Sequence, residues 1–143
     1  MRILVIDGQG GRLGRTLVEG IREKLPEAYI MAVGTNSMAT EHMMHSNCAD
    51  ALATGENAVI VACRSADVIA GPLGIAMADA LLGEISPTMA HAVTSSSAYR
   101  VLIPMNLCDT YVAGAARGSS AILEDALEHI CSLYAGGTHE PLD

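Results

Sequence analysis

The chain has 143 residues, half of them apolar, with sixteen acidic against eight basic side chains and a formal net charge of −8. That length suits one domain with a self-sufficient core, and the acidic balance works against nucleic acid or an anionic membrane as partner. No apolar run approaches the ~18 residues that span a bilayer, and Ile3 to Ile6 is too short for a signal peptide, so the expected location is cytoplasmic.

Arg2 to Ile6 is a β-branched run stopped by Asp7-Gly8, which predicts a buried strand. Leu13, Leu17, Val18, Ile21 and Leu25 then recur at helical spacing until Pro26. Tyr29 to Val33 reads as a second strand closed by Gly34, and Thr35-Asn36-Ser37 as the cap of a helix from Met38 to Ser46. Cys48 to Ala53 is a short third strand. After turn residues at Thr54 to Asn57, Ala58 to Arg64 fits strand or helix. Helix is preferred, because Val68 to Ala70 is a strand and two adjacent strands would lack a hairpin turn. Gly71-Pro72 ends that fourth strand. Ile75 to Leu82 and Pro87 to Ser95 read as two helices broken at Gly83 to Ser86. Tyr99 to Met105 is the fifth strand. Ser119 to Tyr134 is the last helix, with Ser119-Ser120 as cap candidates and Gly136-Gly137 as its stop.

This alternation predicts an α/β fold: a Rossmann-like, doubly wound, mostly parallel five-stranded sheet with helices on both faces. Residues 1–137 are expected to form a single domain and 138–143 a flexible C-terminal tail. With four Tyr and neither Phe nor Trp, the core must be aliphatic, with Met filling its gaps. Cys48, Cys63, Cys108 and Cys131 show no paired spacing and read as small buried hydrophobes.

Asp7-Gly8-Gln9-Gly10-Gly11-Arg12-Leu13-Gly14 lies between the first strand and first helix, the context in which a glycine-rich turn can hold a phosphate. Glycine serves there for the tight turn, for close backbone approach to a pyrophosphate, and for contact between helix and strand. Free amides at the helix start would face the anion. The spacing is G-x-x-G-x-x-G, from Gly8, Gly11 and Gly14. Asp7 to Gly14 are therefore the candidate cofactor-binding residues, joined by Thr35, Asn36 and Ser37 after the second strand and by Gly71 and Pro72 after the fourth. No acid stands at the end of the second strand, where one would grip the ribose of NAD. Hydroxyls there, with Arg12 and Arg15 nearby, favour NADP over NAD.

The string V-I-D-G-Q-G-G-R-L-G-R resembles the opening of extended and atypical short-chain dehydrogenase/reductases, and Ser65-Ala66-Asp67-Val68-Ile69 is similar to the start of their fourth strand. The resemblance implies NAD or NADP on a Rossmann sheet. The whole chain also resembles a short bacterial family known only as a domain of unknown function. That likeness is carried by I-D-G-Q-G-G, Gly34-Thr35-Asn36, Thr54-Gly55-Glu56-Asn57, Gly71-Pro72 and Ile103-Pro104, and it implies no activity.

Ligands of open α/β sheets gather beyond the carboxyl ends of the strands. Glu56, Asn57 and Asn106 are the catalytic candidates there, with Glu56 as general base if burial raises its pKa. An acid favourably placed at a helix N-terminus is the plainer reading of Glu56. Lys24 is the chain's single lysine, so neither a Tyr-x-x-x-Lys pair nor a Walker lysine exists. His42, His45 and Cys48 are three apart, but two such steps drift around a helix. They read as surface histidines and a cysteine past the helix end, and no metal is expected. The leading reading is a nucleotide-binding protein. The alternatives are a small-molecule enzyme without a nucleotide, and a non-catalytic dimeric scaffold. A homodimer would use the apolar stripe Ile122, Leu123, Leu127, Ile130 and Leu133 or the methionine-rich second helix, although such stripes more often face a core.

Overall fold

In the computed structural model, which describes residues 1–105, 109–115 and 118–137, five strands alternate with five helices. The order is β1 (Arg2–Asp7), α1 (Arg12–Lys24), β2 (Tyr29–Gly34), α2 (Ser37–Met44), β3 (Ala51–Thr54), α3 (Glu56–Cys63), β4 (Val68–Pro72), α4 (Pro87–Ser95), β5 (Tyr99–Ile103) and α5 (Ser119–Tyr134). All neighbouring strands are parallel, in the order β3-β2-β1-β4-β5. The fold is therefore the Rossmann-like, doubly wound α/β sheet that the alternation predicts. Asn106, Cys108 and the tail 138–143 lie outside the described residues.

Period-two alternation divides each central strand between two cores. Ile3 and Val5 of β1 face Leu17, Val18 and Ile21 of α1 and Leu127 and Ile130 of α5. Leu4 and Ile6 face the opposite layer, with Val59 of α3 and Met89 and Val93 of α4. Each fully buried Leu or Ile contributes about 1.5–3 kcal/mol, so both layers are needed to hold the sheet. The apolar stripe of α5 belongs to this interior: Leu127 and Ile130 are buried, and Ile122, Leu123 and Leu133 lie against the same cluster. On α2, Met43 is buried whereas Met38 and Met44 are exposed. Among the described residues no helix is long and apolar enough to cross a membrane.

One expected element is absent. Ile75 to Leu82 is not a helix: a single 3-10 turn (Leu73–Ala76) follows β4, and a run of tight turns leads to α4. Asp79, Leu81 and Leu82 take φ of 64°, 54° and 58°, left-handed values that end any right-handed helix. Leu81 turns into the core while Leu82 is 93% exposed. The third strand is also shorter and later than expected, because Asp50 bonds back to the Ile30 amide before pairing with β2 begins.

The strand order places the switch in chain direction beside β1. From β1 the chain winds outward through β2 to β3, then crosses over to β4 on the other side of β1. Ligand crevices of open α/β sheets form at such a switch point.

Candidate functional site

The carboxyl end of β1 opens into the glycine turn, and Asp7 holds that turn from beneath. Asp7 is 6% exposed. Its Oδ1 accepts from the Gly8 amide at 2.8 Å and its Oδ2 from the Gly14 amide at 2.7 Å. Burial raises its pKa, the two amides oppose that, and the nearby charge of Glu84 adds to the rise. Asp7 thus ties both ends of the turn together rather than reaching out to a ligand.

The glycines divide by role. Gly11 caps α1 at φ +70°, and a methyl there would lie 2.6 Å from the Ala39 carbonyl oxygen of α2. A methyl on Gly14 would lie 2.6 Å from Met43 Sδ and 2.7 Å from Asp7 Cβ. Gly14 therefore serves close contact between helix and strand, as expected. Gly11 admits the backbone of α2. A methyl on Gly10 would meet no described residue within 4 Å, so among the glycines of this turn Gly10 is the one that faces open space. Gly71 allows β4 to approach the Ile6 carbonyl.

Two neighbouring elements brace the turn from outside. Asn36 caps α2 by accepting from the Ala39 amide at 2.8 Å, and its Nδ2 donates to the Gln9 carbonyl at 3.0 Å and to Glu84 Oε1 at 2.5 Å. His42 Nδ1 bonds the Gly10 carbonyl at 2.8 Å, which requires a proton on that nitrogen. Glu84, from the β4–α4 connection, accepts from Thr35 Oγ1 at 2.9 Å and from the Gln9 amide at 3.1 Å to each oxygen. Burial works to raise the Glu84 pKa, but the donors Asn36, Thr35 and Gln9 outweigh it and hold the carboxyl below its ordinary value. An acid thus reaches the end of β2 after all, from fifty residues downstream in the chain rather than from β2 itself. Sequence reasoning missed Glu84 and His42. His42 carries a spacing signal that points to a metal rather than to a loop brace. Glu84 carries none, because a tertiary contact puts it there.

Over the turn lies a cavity of about 200 Å³ walled by Asp7 to Leu13, Pro72 and Leu81. It sits at the β1/β4 switch point. The amides of Gly10, Arg12 and Leu13 donate to none of the described residues. The exposed Arg12 side chain forms no ion pair with a described residue, whereas Arg15 is paired with Glu19 at 2.8 Å. Pockets for whole ligands begin near ~300 Å³. The cavity therefore fits a phosphate or pyrophosphate, and a nucleoside would have to lie across its mouth.

Two of the catalytic candidates, Glu56 and Asn57, do not join this cavity, and the third, Asn106, lies outside the described residues. Glu56 and Asn57 are exposed at the start of α3, beyond the edge strand β3. Glu56 Oε2 accepts from Ser86 Oγ at 2.5 Å, and Ser86 in turn caps α4. The burial on which a general-base role depended is missing, and Glu56 instead ties the β4–α4 connection to α3. Ser37 is exposed at the first position of α2. Among the described residues no group of three or more His, Cys, Asp or Glu could hold a metal ion. Burial pushes the Cys63 thiol up to about 11, which keeps it un-ionised and inert at neutral pH.

Residues 2–135 match the family described as a domain of unknown function, DUF3842. No curated protein matches the sequence. Among solved structures, the chain is similar to a dodecameric FMN-dependent UbiX-like decarboxylase from Escherichia coli O157:H7, at 16% identity and a TM-score of 0.45, over 100% of this chain and 98% of that one.

Proposed function

The chain belongs to the DUF3842 family, and we propose that it binds a nucleotide, of the NAD or NADP class, whose phosphate seats on the first glycine-rich turn. The observation that carries this reading is the cavity at the β1/β4 switch point, where the Gly10, Arg12 and Leu13 amides on its wall and the Arg12 guanidinium at its rim have no partner among the described residues. Amides in the first turn of a helix present partial positive charge, and an anion is the ligand that satisfies several at once. Arg12 adds a full charge and a fork that matches phosphate oxygens. The buried carboxylate of Asp7 works against an anion, but both its oxygens are engaged by amides, so part of its charge is already offset.

Thermal melting in the presence of NAD, NADP, ATP and coenzyme A tests this. A ligand at a hundred times its Kd stabilises by about 2.7 kcal/mol, which for a chain of this size raises Tm by roughly 8 °C. Gly10→Asp places a negative charge at the cavity, at a position where a Cβ meets no described residue within 4 Å, and should abolish the shift, whereas Gly10→Ala should retain it. Failure of all four nucleotides to raise Tm by more than a degree would contradict the reading. Gly11 is unsuited to this test, because any side chain there strikes α2.

A further inference from the structure

We infer that Glu84 is the acceptor for the ribose hydroxyls of the bound nucleotide and sets a preference for an unphosphorylated 2′ position. This rests on the nucleotide reading above and reverses the preference for NADP that an acid-free end of β2 suggests.

In Rossmann sheets the ribose lies over the carboxyl end of the second strand, where a carboxylate accepts from its hydroxyls. Here β2 ends in Gly34, followed by Thr35 and Asn36, and the carboxylate is delivered by another loop. Its two oxygens are used unequally. Among the described residues, Oε1 accepts from Thr35 Oγ1, Asn36 Nδ2 and the Gln9 amide, whereas Oε2 accepts from the Gln9 amide alone. A carboxylate oxygen has two lone-pair sites, so Oε2 keeps room for a hydroxyl donor. Three donors from two elements fix the group's direction, which makes it a preorganised acceptor.

The backbone that delivers it supports the same assignment. Asp79, Leu81 and Leu82 all hold left-handed conformations, which side chains adopt only when surroundings enforce them. Leu81 is buried, with its Cδ1 only 2.8 Å from where a methyl on Gly8 would stand. The contorted connection thereby fixes Glu84 beside the glycine turn. A carboxylate there welcomes a hydroxyl and repels a 2′-phosphate, since like charges brought together without water between them are costly.

Isothermal titration of the wild type and Glu84→Gln with NAD, NADP and inorganic pyrophosphate tests the assignment. The wild type should bind NAD about tenfold more tightly than NADP. Glu84→Gln should lose most of that preference while pyrophosphate, which has no ribose, still binds. Thr35→Val, which removes one donor to the carboxylate, should weaken the preference in the same direction. Equal NAD and NADP affinities that Glu84→Gln leaves unchanged, with pyrophosphate still binding, overturn the assignment and spare the nucleotide reading. Tighter binding of both pyrophosphate and NAD by Glu84→Gln also overturns it, since the carboxylate would then be a plug over the turn. Absence of binding by all three ligands overturns both.

Discussion

Replacing Gly11 by alanine would place a methyl 2.6 Å from the Ala39 carbonyl oxygen and 2.7 Å from its Cα, at a backbone φ of +70°. The left-handed conformation costs a residue with a side chain roughly 1–2 kcal/mol. Pressing a methyl into the backbone of a neighbouring helix adds about 1–3 kcal/mol. The sum, about 2–5 kcal/mol, is a large part of the roughly 5–15 kcal/mol that holds a domain folded. One residue earlier, a methyl on Gly10 would meet no described residue within 4 Å. Gly10→Ala should therefore stay within about 0.5 kcal/mol of the wild type. Urea denaturation, followed by far-ultraviolet circular dichroism, separates the two. With a slope near 2 kcal/mol per molar, Gly11→Ala should lower the midpoint by about 1–2.5 M, and Gly10→Ala should barely move it. Equal midpoints, or a larger loss at Gly10, would refute the view that α2 presses on Gly11.

Two further outcomes follow from the bracing of the turn. Asn36→Asp keeps an N-cap acceptor but removes the donations to Gln9 and Glu84, and it sets a second carboxylate against Glu84. Chemical denaturation at pH 7 should show a loss of about 1–3 kcal/mol, partly restored when Glu84→Gln is combined with it. The Glu84 carboxyl is held below its ordinary value, so its bonds stabilise the fold above the pKa of the unfolded chain and lose that contribution as pH falls through the folded value. The stability difference between wild type and Glu84→Gln, measured from neutral pH downward, should accordingly shrink on acidification. Asp7 is raised by burial and works in the opposite sense, favouring the fold at low pH and less so as it ionises.

Much of the architecture is written locally. The alternation of β1, the 3.6-residue recurrence from Leu13 to Ile21, the Asn36 cap and the glycine stop after α5 are decided by near neighbours, and each stands where the residues indicate. The β4–α4 connection is different. Ile75 to Leu82 has good helix formers at helical spacing, yet its backbone is set by Leu81 entering the interior beside Gly8 and by Glu84 reaching Gln9, Thr35 and Asn36. Those contacts span long sequence separations and leave no periodic trace. The glycine turn is an intermediate case. Its position and the role of Gly14 follow from the motif. Gly10 and Gly11, by contrast, are indistinguishable as letters and differ only because α2 lies against one of them. The cavity was legible as a place, at the mouth of the first β–α crossover. The acid beside it was not.

The most direct measurement is a ¹⁵N–¹H correlation spectrum recorded while pyrophosphate is titrated into the protein. If a phosphate seats on the turn, the largest amide shifts fall on Gly10, Arg12 and Leu13 and saturate together at one affinity. Shifts scattered over the surface, or confined to residues remote from β1 and α1, would contradict the account.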